Sequence, residues 1–320
     1  MSNYRLNRRS FLAATGLGAT ALATFESSSI AALAAIPERK FLVVLSCGRI
    51  GVKASFRESV DLAVKHGFEG VDPDAENFSR LSDDELKRLL DGLTSKNLKL
   101  GAAGLPVDFR KDELTFSDNL KKLPAVATVL EKAGVTRVST WIMPCSNELT
   151  YLQNFRSHAS RLRACAAILK DHGQRLGLEY VSPKTLWRSQ RHPFVHTLSE
   201  MKELIVAIGM GNLGVQLDSW HWFNAEETGE DLLALRNEYI VTVDLNDAPA
   251  GIPLDKQVDS ARELPAATGI IPLKVFLDSL RTIGYDGPIH AEPFSAALRA
   301  MPRDEACAAT AAAMKKALAL

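Results

Sequence analysis

The chain has 320 residues, 46% of them hydrophobic and 24% charged, and its 38 basic side chains balance its 38 acidic ones. That length and composition describe a globular protein with a large core and exclude a disordered or fibrous one. The neutral balance gives no electrostatic footprint for nucleic acid or an anionic membrane.

At the N-terminus, Asn7-Arg8-Arg9-Ser10-Phe11-Leu12 precedes a weakly apolar, Ala/Gly-rich stretch to Phe25, and Ala32-Leu33-Ala34 offers small residues for cleavage. This segment resembles a twin-arginine export signal, so residues 1–34 are expected to be removed and the mature protein, residues 35–320, to be periplasmic. The apolar run, about 15 residues, is shorter than the ~20 that span a bilayer, and no later run is long enough. Cys47, Cys145, Cys165 and Cys307 are widely spaced with no CxxC, which excludes zinc-finger and thioredoxin-like readings.

Strand-like runs then alternate with amphipathic helical stretches. The expected strands are Phe41–Ser46, Gly70–Asp72, Leu98–Leu105, Arg137–Met143, Leu178–Val181, Leu213–Asp218, Ile240–Leu245 and Pro288–Glu292. The expected helices are Ser55–His66, Asp83–Ser95, Ser117–Ala133, Asn154–His172, Leu198–Ile208, Leu273–Ile283 and Ala296–Leu318. Strict alternation means a parallel sheet. An open doubly wound sheet would carry a glycine-rich phosphate turn after its first strand, and Ser46-Cys47-Gly48-Arg49-Ile50-Gly51 is a poor match. The α/β reading is therefore a single-domain (β/α)8 TIM barrel, whose working residues belong at the C-terminal ends of the strands.

Four acidic residues stand at such ends. Glu179, Asp218, Asp244 and Glu292 lie at or beside the ends of the apolar runs LGLEYV, LGVQLDSWHW, YIVTVDLND and GPIHAEPF. Buried carboxylates are costly unless something compensates their desolvation, and one shared divalent cation does so. The stretch Ala248–Gly269, too long for an ordinary connection, is read as functional or disordered.

GFEGVD, LGLEY, VQLDSWHWF, VDLNDAPAG and GYDGPIHAEPF, in this order, resemble the xylose-isomerase-like sugar isomerase/epimerase superfamily across Arg39–Leu320. The ketose 3-epimerases and inosose dehydratases are its nearest branches in this reading. The resemblance implies a metal held by Glu179, Asp218, Asp244 and Glu292, with Asp244 standing where the family has histidine. Four carboxylates favour Mn²⁺ or Mg²⁺ over Zn²⁺, with Co²⁺ as a further candidate. It also implies substrate contacts from His221 and Arg262, the latter in a segment, Arg262-Glu263-Leu264-Pro265, that folds over the pocket in relatives. Lys184, Trp220 and His290 are weaker substrate-binding candidates, and His290 reads equally as barrel filler. Trp141, Trp187, Trp222 and Phe294 are open to either sugar stacking or core packing.

The implied chemistry is isomerisation or epimerisation of a keto-sugar through an enediolate, with Glu179, Glu292 and His221 as the catalytic set. A lyase acting on an inosose or 3-keto-glycoside through the same enolate is the first alternative, and a non-catalytic sugar-binding protein the second. Apurinic-site endonucleases share the superfamily, but seven histidines and a neutral chain do not suit their histidine-rich zinc site and DNA-binding face. The partner expected is a small sugar; a homo-oligomer is compatible with the sequence.

Overall fold

The computed structural model describes residues 36–320, so the export-signal expectation at 1–34 lies outside the described residues. The strands are β1 Leu42–Leu45, β2 Gly70–Val71, β3 Lys99–Leu100, β4 Ala103–Gly104, β5 Arg137–Trp141, β6 Cys145–Ser146, β7 Arg175–Glu179, β8 His192–Pro193, β9 Leu213–Asp218, β10 Ile240–Leu245 and β11 Pro288–Ala291. Nine of them form one sheet in the order β3-β2-β1-β11-β10-β9-β7-β5-β4, and every pairing within it is parallel.

The two ends of that order, β3 and β4, are halves of a single segment, 99–104. Its first half pairs with β2 and its second with β5, so the sheet closes on itself as the expected barrel. Gly101 stands at the join. A Cβ there would lie 2.5 Å from Asp72 Oδ1 and 2.9 Å from Val44 Cγ1, so no larger residue fits without displacing Asp72. β6 and β8 make a separate antiparallel ribbon beyond the barrel strands.

Helices cover the outside, and local chemistry fixes their ends. Ser55 with Glu58, and Ser82 with Glu85, form reciprocal capping boxes at the starts of Phe56–His66 and Asp83–Ser95. β9 and β10 are buried along their whole length, as parallel strands packed on both faces must be.

Most expected elements are present with shifted bounds. β7 starts at Arg175, three residues before its expected start, and stops at Glu179. The helix expected to begin at Ser117 begins at Glu113, because Asp112 accepts from Thr115 N and caps it. The expected Ala296–Leu318 helix is two, Ala296–Arg299 and Arg303–Leu318. Pro302 separates them, since it lacks an N–H and bars helical geometry at the residue before it.

Candidate metal and proton-transfer site

Strand register brings the four carboxylates to one level. Asp244 on β10 lies opposite Asp218 on β9 and opposite His290 on β11. Glu179 ends β7, and Glu292 continues β11 by donating its backbone N–H to Leu245 O. One oxygen from each of the four lies within 4.8 Å of the others, and all four residues are buried. Alternate residues share a strand's inner face, so Gln216, two before Asp218, also points inward and donates to Asp244 Oδ2 at 2.8 Å. Asn246, two after Asp244, donates to Asp218 Oδ1 at 2.8 Å.

Two arginines enter the cluster. Arg262 is 3% exposed, which excludes a solvated surface side chain. Its Nη1 bonds Asp218 Oδ2 at 2.8 Å and Glu292 Oε2 at 3.1 Å, while Nε and Nη2 bond Asp259. The loop that carries it is ordered by Asp247, whose carboxylate accepts from the backbone of Ala248, Thr268, Gly269 and Ile271. Arg49, from the turn after β1, places Nη1 2.6 Å from Asp244 Oδ2 and 3.0 Å from Glu292 Oε1.

Burial and mutual repulsion decide the protonation of the site. Burial, then Glu292 and the two aspartates, push Glu179 well above the ordinary carboxylate range. Burial and then Asp244 raise Glu292 to about 7. Asp218 rises to about 6, chiefly by burial, with Arg262 opposing. At Asp244 burial also favours the neutral acid, but Arg49 with His290 and Arg262 outweighs it and holds the group below its usual value.

His221 lies on the short helix Ser219–Asn224 that follows β9. Ser182 N faces its Nδ1 at 3.3 Å, and Arg262 Nη2 faces its Nε2 at 3.3 Å. A second N–H would point at one of these donors, and the Glu179 and Asp259 carboxylates stand 3.8 and 3.9 Å from Nε2, beyond hydrogen-bond reach, so the neutral ring is favoured. Burial and then Arg262 likewise drive its pKa well below the ordinary value.

The remaining expected residues divide. His290 is fully buried, with Nε2 2.8 Å from Asp72 Oδ1 and Nδ1 3.4 Å from Asp244 Oδ1. Burial opposes its charge, but Asp72 and Asp244 overcome that and raise it to about 9. It therefore supports Asp244 from behind. Trp220 is buried behind Asp218, to which its backbone N–H donates at 2.6 Å. Lys184 is exposed at the start of the helix Lys184–Trp187 and bonds none of the cluster residues among the described contacts. Trp187 stacks on His196, Trp222 packs on Phe276, and Trp141 lies under Arg110, so these three have protein partners already. Phe294, at a left-handed φ of 39°, places its ring 4.4 Å from the Arg262 guanidinium carbon.

Arg49, Gln216, Asn246 and Asp259 were not among the expected site residues. The inner-face rule that marks Asp218 and Asp244 reaches Gln216 and Asn246 as well. Arg49 sits just past a strand's C-terminal end, where a barrel keeps its working residues.

A divalent metal fits this donor set. Glu179 Oε1 is a buried oxygen without a hydrogen-bond partner, and it belongs to the group of converging carboxylates. Oxygen-only ligation suits a hard cation.

A family model described as xylose isomerase-like TIM barrel matches residues 60–317. Over 246 residues the chain is 22% identical to an inosose isomerase of Bacillus velezensis, covering 75% of this chain and 84% of that one. A xylose isomerase domain protein from Alicyclobacillus acidocaldarius superposes with a TM-score of 0.77 at 30% identity, over 87% of this chain and 98% of that one. The structure of an IOLI protein with a binding zinc atom superposes with a TM-score of 0.72 at 18% identity, over 87% of this chain and 98% of that one, a likeness of fold. With a closed parallel barrel, acidic side chains at its strand ends and a family match over most of its length, the chain belongs to the xylose isomerase-like TIM barrel family.

Proposed function

We propose that the protein is a divalent-metal-dependent isomerase or epimerase acting on a ketose or keto-sugar through an enediolate. The observation that carries this reading is Glu179: a buried carboxyl with one oxygen unpartnered, raised well above the ordinary range, and facing the Glu292 carboxyl across the barrel mouth. A purely structural carboxylate would be saturated with hydrogen bonds.

Glu179, Asp218, Asp244 and Glu292 would hold the ion. The all-oxygen set favours Mn²⁺ or Mg²⁺, with Co²⁺ the next candidate. When bound, the ion supplies positive charge that stabilises an enediolate. The chain's own residues do the rest. Glu179 and Glu292 end strands separated by β9 and β10, so they approach a substrate from different sides. One takes the proton from the carbon beside the carbonyl and the other returns a proton to the opposite face, or to the neighbouring carbon. Neutral His221 has both ring nitrogens turned to protein donors, so it steadies Arg262 through Nε2 instead of donating to the substrate. Arg262, fixed through Asp218, Glu292 and Asp259, adds a stationary positive charge.

The test is incubation of the Mn²⁺-loaded protein with ketoses, inososes and 3-keto-glycosides in D₂O, followed by NMR and mass spectrometry. Deuterium incorporation with an isomeric product is the expected result. Incorporation with loss of water or an aglycone would favour the lyase branch. No incorporation with any compound, despite saturable sugar binding, would favour a binding protein. The Arg8-Arg9 segment supports periplasmic export, for which the check is retention of an Arg8→Lys/Arg9→Lys protein in the cytoplasmic fraction.

A further inference from the structure

The two arginines of the cluster are held very differently. Arg262 uses Nε, Nη1 and Nη2, bonding Asp259 as well as Asp218 and Glu292, and its side chain is 1% exposed. Arg49 makes its described hydrogen bonds through Nη1 alone, to Asp244 Oδ2 and Glu292 Oε1, and its side chain is 18% exposed. One nitrogen, bearing part of a positive charge, therefore sits between two oxygens of the carboxylate cluster. That is the place and the charge a small cation would have.

We propose that Arg49 is an internal cation that occupies the Asp244–Glu292 edge of the cluster until a divalent ion displaces it. The inference rests on the metal-dependent reading above and adds a competition to it. Asp244 and Glu292 cannot offer the same oxygens to the ion and to Arg49 Nη1 at once. Withdrawal of Arg49 breaks two contacts, both at one nitrogen, and leaves the other nitrogens unaffected. The cleft beside its turn, lined by Ser46, Gly48, Asp72 and Asp74, holds two carboxylates with one oxygen each already engaged, Asp72 Oδ1 by His290 and Asp74 Oδ1 by Asn77 N, and the second oxygens face the displaced guanidinium's charge. The turn itself is held by backbone hydrogen bonds from Ile50, Gly51 and Val52 to Ser46, Gly48 and Cys47, so the side chain swings while the backbone stays. Arg262, locked by Asp259, stays while the ion enters. The consequence is an exchangeable positive charge: the carboxylates are never left facing one another uncompensated, at the expense of metal affinity.

Mn²⁺ alone is the probe, titrated by electron paramagnetic resonance and calorimetry into metal-free wild type, Arg49→Met and Arg49→Lys. Arg49→Met is expected to bind at least tenfold more tightly than wild type, and Arg49→Lys, which keeps the charge, within about threefold of wild type. The gain should persist at ~1 M salt, where screening acts within about 3 Å and effects of distant charges vanish. Metal-free Arg49→Met should melt below wild type and recover more of its melting temperature on Mn²⁺ addition. Arg49→Gln gives the same reading if the methionine variant does not fold. Equal or weaker binding by Arg49→Met and Arg49→Gln, or a gain that salt abolishes, overturns the competition while leaving the metal site standing. No Mn²⁺ binding by any of the proteins overturns the metal-dependent reading itself, and the competition with it.

Discussion

Glu179 and Glu292 are the proposed proton-transfer pair, so their replacement should separate function from folding. Glu179→Gln and Glu292→Gln keep size and shape but cannot relay a proton, and each should lower turnover by about 10²–10⁴ while circular dichroism remains native. Retained activity in both would contradict the proton-transfer pair. Glu292 also has a stability signature. Its folded value of about 7 lies above the ordinary 4.5 because of burial and then Asp244. A raised carboxyl favours the folded state fully below the unfolded value and loses that contribution as pH rises through the folded one. Between pH 4.5 and 8, metal-free wild type should lose unfolding free energy relative to Glu292→Gln. Urea titrations across that range check it, and a difference that stays flat or grows with pH would contradict it. At this scale the carboxylates were readable because each stands beside the end of an apolar strand. Arg49 was hidden by context: in a Gly-containing turn it reads as loop, and only the closed barrel brings it across to Asp244.

The strands, helices and loops place these side chains, and the long 248–269 connection matters most. Asp247 accepts four backbone N–H groups, at Ala248, Thr268, Gly269 and Ile271, and its own backbone exchanges hydrogen bonds with Glu263. Asp247→Ala leaves those donors unpaired. It should cost about 2 kcal/mol in stability and should speed hydrogen exchange across 262–271, while exchange in β9 and β10 stays slow. Turnover should fall with it, because Arg262 depends on that loop for position. Unchanged exchange in the loop would contradict the anchoring role. The loop's length marked it in the sequence as functional or disordered, and the deciding contact, a single aspartate capping a segment more than twenty residues away, has no local signature. Element bounds failed for the same reason in a smaller way. β7 begins at Arg175, whose charge masks the start of the strand, while Pro302 is a visible signal for the break in the last helix.

For the whole molecule, closure of the sheet through the split segment 99–104 converts strand ends that are far apart in sequence into one ring of carboxylates. Alternation of strands and helices made the barrel readable. Which oxygens remain unpartnered, Glu179 Oε1 among them, depends on side-chain packing that no sequence pattern carries. Cation binding to the folded barrel alone should stabilise it by about 2.7 kcal/mol at a free ion concentration one hundred times the dissociation constant. Thermal melts with and without Mn²⁺ measure this, and an unchanged melting temperature at saturating metal would contradict a site formed only by folding. The most direct test of the central claim is anomalous diffraction from crystals soaked in excess Mn²⁺. One peak is expected at the barrel mouth, about 2.1 Å from an oxygen each of Glu179, Asp218, Asp244 and Glu292. A cluster without that peak, its carboxylates still bound to Arg49 and Arg262, would contradict it.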